Sequence, residues 1–202
     1  MLVSSSTAIP IREITTTRVD TERSIRSNTV GPDGWLGESP EDLEAFIRNL
    51  RPVDQEFLKV LPQLHEITDE YTQVPVQEAF NWNEVAALLG PEAEGDWFIV
   101  VFRSVRKATA NSKLLYEADE RAQREAAHSG GLLKYWYGDL NQHRECMAMC
   151  VWRSQEDARK ATKKPLHRIA AQLAGEMYDI YDLERYSLVK KAGELVFDLQ
   201  RL

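Results

Sequence analysis

WFIVVFRSV, Trp97 to Val105, is an unbroken apolar run rich in β-branched and aromatic residues, and the segments that follow it decide the fold. SKLLYEADERAQREAAH (Ser112 to His128) has helical composition and is stopped by Gly130-Gly131. LLKYWYG (Leu132 to Gly138) and ECMAMCVW (Glu145 to Trp152) then read as two strands across a polar hairpin. A second helical stretch runs from Ser154 to about Tyr178, and LERYSLVKK (Leu183 to Lys191) closes the set as a strand. Strand, helix, strand, strand, helix, strand is the ferredoxin-like split βαβ order. It predicts an α+β domain over residues 96–202, with one antiparallel sheet carrying two helices on one face. The strands are apolar on both faces, so the second face also needs a cover. Either a second copy of the chain or the N-terminal helices can supply it.

Inside this unit, Leu114, Leu115, Ala118, Ala122 and Ala126 form the expected inward stripe of the first helix. Pro165 splits the second helical stretch, since the residue before a proline avoids the helical region. A short helix near Gln155–Thr162 is therefore expected, and then one starting at Pro165 with Leu166, Ile169, Ala170, Leu173 and Met177 inward. The tail GELVFDLQRL alternates apolar and polar residues and reads as an added edge strand, within the chain or swapped.

Upstream, residues 1–38 are rich in Ser, Thr, Arg, Gly and Pro and read as an arm over the core or a disordered segment. Residues 39–95 read as a helical extension. Ser39 is the expected N-cap, Pro40 the first helical residue, and Leu43, Phe46, Ile47 and Leu50 the apolar face. After Pro52 a second helix carries Phe57, Leu58 and Leu61, HEITDEYTQVPVQEAF is partly extended, and WNEVAALLG is a short helix ending at Gly90.

Charge narrows the partners. Residues 1–95 hold 7 Lys+Arg against 17 Asp+Glu, and residues 96–202 hold 18 against 15, within a net of −7. An acidic chain without a basic stripe argues against nucleic acid. No run approaches the ~18 apolar residues of a membrane span, and the N-terminus lacks the pattern of a secretory signal. Cys146 and Cys150 stand four apart on one predicted strand, roughly 13 Å at about 3.3 Å per residue, too far for a disulfide. They read as buried free thiols, and the cytoplasm is the expected location.

No nucleotide-binding, nucleophile-elbow or zinc-protease motif is present. His143, Cys146 and Cys150 do not have tetrahedral metal spacing, so neither a metal nor another cofactor is expected. His65, His128 and His143 read as surface or turn residues. His167 lies in the first turn of the helix that Pro165 opens, where the helix end disfavours the imidazolium. It is either a neutral base or a structural helix-end residue. Arg103, Arg185 and Asp119 are charges inside apolar patterns: ion pairs at strand ends, or groups that stabilise negative charge on a substrate. In LLKYWYG, Lys134 and Trp136 share one face and Leu133, Tyr135 and Tyr137 the other. Cys146, Ala148, Cys150 and Trp152 alternate with Met147, Met149 and Val151. Tyr135, Trp136, Tyr137 and Trp152 are the candidate walls of a pocket for an apolar ligand, or else core and interface residues. Trp136 and the two tyrosines cannot all line one pocket.

The segments FNWNEVAALL, DWFIVVFRSV, LLYEADERA, GGLLKYWYG, RECMAMCVW, PLHRIAA and YDLERYSLV resemble those of a fungal family of uncharacterised proteins. The split βαβ unit with Pro165-Leu166-His167 opening its last helix is similar to the dimeric α+β barrel superfamily. Antibiotic-biosynthesis monooxygenases, stress-response barrel proteins, haem-degrading enzymes, and some decarboxylases and cyclases belong to that group. The resemblance implies a homodimer with sheets packed face to face, and a role for His167, although one extra residue separates it from the proline. It leads to an expected enzyme acting on a hydrophobic small metabolite without a cofactor, in secondary metabolism, by cyclisation, isomerisation, elimination or oxygenation. The alternatives are a non-catalytic small-molecule-binding or dimerisation module and, third, a haem-binding protein. The pocket is expected inside each protomer, between the sheet and the two helices.

Overall fold

The computed structural model describes residues 40–202. The arm expected over residues 1–38 and the N-cap expected at Ser39 lie outside the described residues. Two short helices, α1 (Pro40–Arg48) and α2 (Pro52–Val60), are followed by a single 3-10 turn, Leu61–Gln63. The next segment is mostly turns with one isolated bridge, Glu66 to Phe80, and leads to α3 (Val76–Ala79) and α4 (Trp82–Leu89). The remaining elements are β1 (Gly95–Arg106), α5 (Ser112–Ser129), β2 (Leu132–Tyr137), β3 (Glu145–Trp152), α6 (Gln155–Thr162), α7 (Pro165–Met177), β4 (Tyr178–Lys190) and β5 (Asp198–Arg201). The sheet order is β2-β3-β1-β4-β5, and every pair is antiparallel. The α+β, ferredoxin-like order stands, and β5 extends the β4 edge of the same chain.

Local chemistry explains the breaks. The Asn111 side chain caps α5 by accepting from the Leu114 amide at 3.1 Å, and Ser154 caps α6 from the Asp157 amide at 3.2 Å. Pro165 opens α7 as expected. Between α5 and β2, Gly131 has φ +84°, and a Cβ there would collide with the Asp157 side chain, so only glycine fits. Two stripe positions differ from expectation. Leu114 and Ile169 are exposed, because the inner arc of α5 is Leu115, Ala118, Ala122 and Ala126, and α7 fully buries only Ala174.

The sheet separates two apolar layers. On one face Trp97, Ile99, Val101, Met147, Met149, Val151, Tyr186 and Leu188 pack under Phe57, Leu58, Leu61, Phe80 and Trp82 of the N-terminal segment. Phe57 lies on Trp97 with ring centroids 4.2 Å apart, and Phe80 meets Trp136 edge-on at 4.8 Å. Buried Asp54 locks this layer: it accepts from the Trp97 indole at 2.9 Å and the Arg51 guanidinium at 2.8 Å. The face whose bareness argued for a second copy is thus covered in cis by the chain's own N-terminal helices. The other face carries α5, α6 and α7.

A bulge corrects one strand reading. Leu132 pairs with Trp152 while Lys134 pairs with Val151, so Leu133 is the extra residue. Leu133 therefore points with Lys134 and Trp136 into the N-terminal layer. Leu132, Tyr135 and Tyr137 face the other helices.

Candidate functional site

A cavity of about 590 Å³ lies between the sheet and helices α5 to α7. Its floor is aromatic and apolar, with Phe98 and Phe102 from β1, Tyr135 and Tyr137 from β2, and Cys150 and Trp152 from β3. Its roof is made of small residues, Ala118, Ala122 and Ala126 on α5 and Ala170, Ala171 and Ala174 on α7. Large floor residues set against alanines leave the space unfilled. The volume suits a drug-sized molecule. Tyr181 and Leu183 of β4 are 39% and 42% exposed, so the cavity opens to solvent along that strand.

Polar groups reach into this apolar space from two places. On the α5 side the Tyr135 hydroxyl donates to Asp119 Oδ1 at 2.8 Å. Burial raises the pKa of Cys150 and Tyr178 and lowers that of His167, and the nearby Asp119 carboxylate pulls all three upward. His167, in the first turn of α7, donates its backbone N–H to Glu125 Oε2 at 3.0 Å. Its ring Nδ1 is buried and has no hydrogen-bond partner among the described residues. Burial lowers the His167 pKa below the usual 6.5, against the opposing pull of Glu125, Asp119 and the Ala122 carbonyl. The imidazole is therefore neutral near pH 7 and able to accept a proton. Burial pushes the Cys150 thiol far up, so it lines the wall as a thiol rather than a thiolate.

At the far end of β1 stands Arg106, 5% exposed. Its Nη1 donates to Ser112 Oγ at 3.1 Å and to the Tyr116 hydroxyl at 3.0 Å, and the guanidinium lies 4.8 Å from the Tyr116 ring centre. Burial alone would lower its pKa, but the Tyr116 bond and the neighbouring Tyr178 and Cys146 raise it, so the group stays charged. Among the described residues, no group of three or more His, Cys, Asp or Glu side chains could hold a metal ion. No helix among them is long and apolar enough to cross a membrane.

Comparison with known proteins places this architecture. The model of the PB2B2.08-like family matches residues 38–200, which takes in the N-terminal layer, the sheet and the cavity helices. The chain belongs to the PB2B2.08-like family. It is 32% identical over 133 residues to the UPF0643 protein PB2B2.08 of Schizosaccharomyces pombe, a match spanning 58% of this chain and 60% of the yeast protein. Among solved structures it is similar to a dimeric ferredoxin-like protein of unknown function from Thermobifida fusca, at TM-score 0.40 and 17% identity. That pairing covers 46% of this chain and 92% of the other. It is also similar to SnoaB, a cofactor-independent oxygenase from Streptomyces nogalater, at TM-score 0.40 and 12% identity over 50% of this chain and 99% of the other.

Of the residues singled out in the sequence, His167, Asp119, Arg185, Tyr135, Tyr137 and Trp152 all line the cavity. Two do not. Arg103 points to the opposite face, where it donates to the carbonyls of Tyr71, Thr72 and Val74 at 3.1, 2.7 and 2.7 Å and pairs with Glu184 at 3.3 Å. Trp136 also lies on that face, between Tyr71 and Phe80. The cause is strand alternation: Phe98, Val100, Phe102, Ser104 and Arg106 face the cavity, and Arg103 falls between them. Arg106 and Tyr178 were missed because the run was read as ending at Val105 and the helix as reaching Tyr178. Counting alternate positions one step past Val105 would have found Arg106. His65, His128 and His143 are exposed.

Proposed function

We propose that this protein is a cofactor-independent enzyme that takes a proton from a hydrophobic small molecule held in the cavity under α5 to α7. Isomerisation, cyclisation, elimination or reaction of the resulting carbanion with dioxygen would follow. The observation that carries the reading is an apolar cavity of about 590 Å³ into which His167 and the Asp119–Tyr135 pair both reach. His167 serves as base: burial keeps it neutral and ready at pH 7. Asp119 favours the imidazolium as it forms and holds the Tyr135 hydroxyl in place. Arg185 lies on the cavity wall, where it can offset negative charge that develops on the substrate. The floor aromatics supply contact area for the apolar body.

Two free cysteines, Cys146 and Cys150, suit a reducing compartment, and we place the protein in the cytoplasm. A homodimer belongs to the same reading, formed through a surface other than the covered sheet face, and light scattering checks it.

The test uses 5-nitrobenzisoxazole, a flat apolar probe. A base takes its ring C–H proton, the N–O bond breaks, and a coloured nitrophenolate is released. Cleavage above the buffer rate is expected, rising with pH through the depressed His167 pKa and flat above it. His167→Ala is expected to cut the rate about 10²-fold, the scale of a lost general base, with little change in melting temperature. Cleavage at the buffer rate despite binding would make the chain a carrier. An intact rate in a destabilised variant would make His167 a structural helix-end residue.

A further inference from the structure

We propose that the molecule bound in this cavity is an amphipathic anion, an apolar body bearing a carboxylate or comparable acid group, and that Arg106 is the residue that receives the charge. The inference rests on the cavity reading above and adds the ligand's chemical class.

Three observations converge. Arg106 is buried, yet its side-chain partners among the described residues are neutral hydroxyls, those of Ser112, Tyr116 and Tyr178; no carboxylate is among them. A buried charge is costly unless a counter-charge meets it. Arg103, by contrast, pairs with Glu184, while the buried ammonium groups of Lys134 and Lys190 are held by backbone carbonyls. Secondly, the Arg106 Nε is buried with no hydrogen-bond partner among the described residues. A guanidinium offers five donors in a planar fork suited to a carboxylate, and here Nη1 carries the bonds to Ser112 and Tyr116 while Nε has none. Thirdly, the charged residues lining the cavity are Arg106, Arg159, Arg168 and Arg185 against the single acid Asp119. In a chain of net charge −7, that local excess of cations is a property of the cavity rather than of the composition. Ser112 and Tyr116 hold the guanidinium from the α5 side, leaving the aromatic floor to take the apolar remainder.

Two fluorescent probes with the same ring system separate charge from apolar contact: 8-anilinonaphthalene-1-sulfonate, which is anionic, and N-phenyl-1-naphthylamine, which is neutral. The full-length protein is expected to bind the sulfonate at least about tenfold more tightly, the usual scale of one charge-assisted hydrogen bond in a desolvated site. Arg106→Gln should remove that preference and leave the neutral probe's affinity within about twofold. Arg106→Lys should keep part of it. Should Arg106→Gln fail to fold, the wild-type ratio and its retention in Arg106→Lys decide the matter. Equal binding of the two probes, or a preference that survives Arg106→Gln, overturns the anion site while leaving the cavity reading in place. Failure of both probes to bind overturns both.

Discussion

Arg103 and Arg106 stand three residues apart in β1 and do unrelated things. Alternation sends Arg106 into the cavity and Arg103 into the N-terminal layer, where its guanidinium is the shared donor for the carbonyls of Tyr71, Thr72 and Val74. Those carbonyls belong to a loop with little regular structure, and Arg103 holds it against the sheet. Arg103→Met is therefore expected to destabilise the fold by about 2 kcal/mol, since it strands three half-buried acceptors and weakens the pairing of Glu184. Urea denaturation checks this, and a loss below about 1 kcal/mol would mean the loop is held by other contacts. The sequence allowed Arg103 two readings, strand-end ion pair or substrate ligand, and could not choose between them. Strand alternation says which residues share a face; it does not say which face meets the helices. His167 was more legible because a proline opening a helix fixes where the next residues sit. The pairing of Tyr135 with Asp119 was not, since it joins positions from β2 and α5 that only the fold brings to 2.8 Å.

The helices and strands were legible in the sequence because each carries its own punctuation: Pro40, Pro52 and Pro165 at starts, Gly90 and Gly130 at ends. The bulge at Leu133 was not, because a one-residue slip depends on the partner strand. On the same strand Lys134 points inward, 2% exposed, with its ammonium donating to the Leu61 carbonyl at 3.0 Å where the second helix unwinds. Burial lowers the Lys134 pKa from 10.5 to about 8, with Glu66 opposing the shift. The unfolded chain thus holds this proton up to about 10.5 while the folded chain releases it near 8. Between those values the unfolded state binds more protons, so stability should rise with pH. From about pH 7.5 to about 9.5 the expected gain is about 2 kcal/mol, and Lys134→Met should abolish it. Urea midpoints at the two pH values check this. A variant that keeps the rise would assign it to another group.

At the scale of the molecule, one five-stranded sheet is shared by two layers with different tasks. The N-terminal side is filled: Phe57, Phe80, Trp97 and Trp136 interlock, and Asp54 and Lys134 pin the helices to the strands. The side under α5 to α7 is left open by its alanines. That both sheet faces needed a cover was legible in the apolar strands. Which body supplied it was not, because the amphipathic helices at residues 40–60 carry no mark of the surface they seek. With the N-terminal layer closed, small molecules are expected to enter on the α5–α7 side alone. Hydrogen–deuterium exchange of the full chain, with and without saturating N-phenyl-1-naphthylamine, tests it most directly. The expected result is slower exchange in α5, α7 and the strand segments beneath them, with α1 to α4 unchanged. Protection confined to α1 to α4, or none anywhere while the probe is bound, would contradict it.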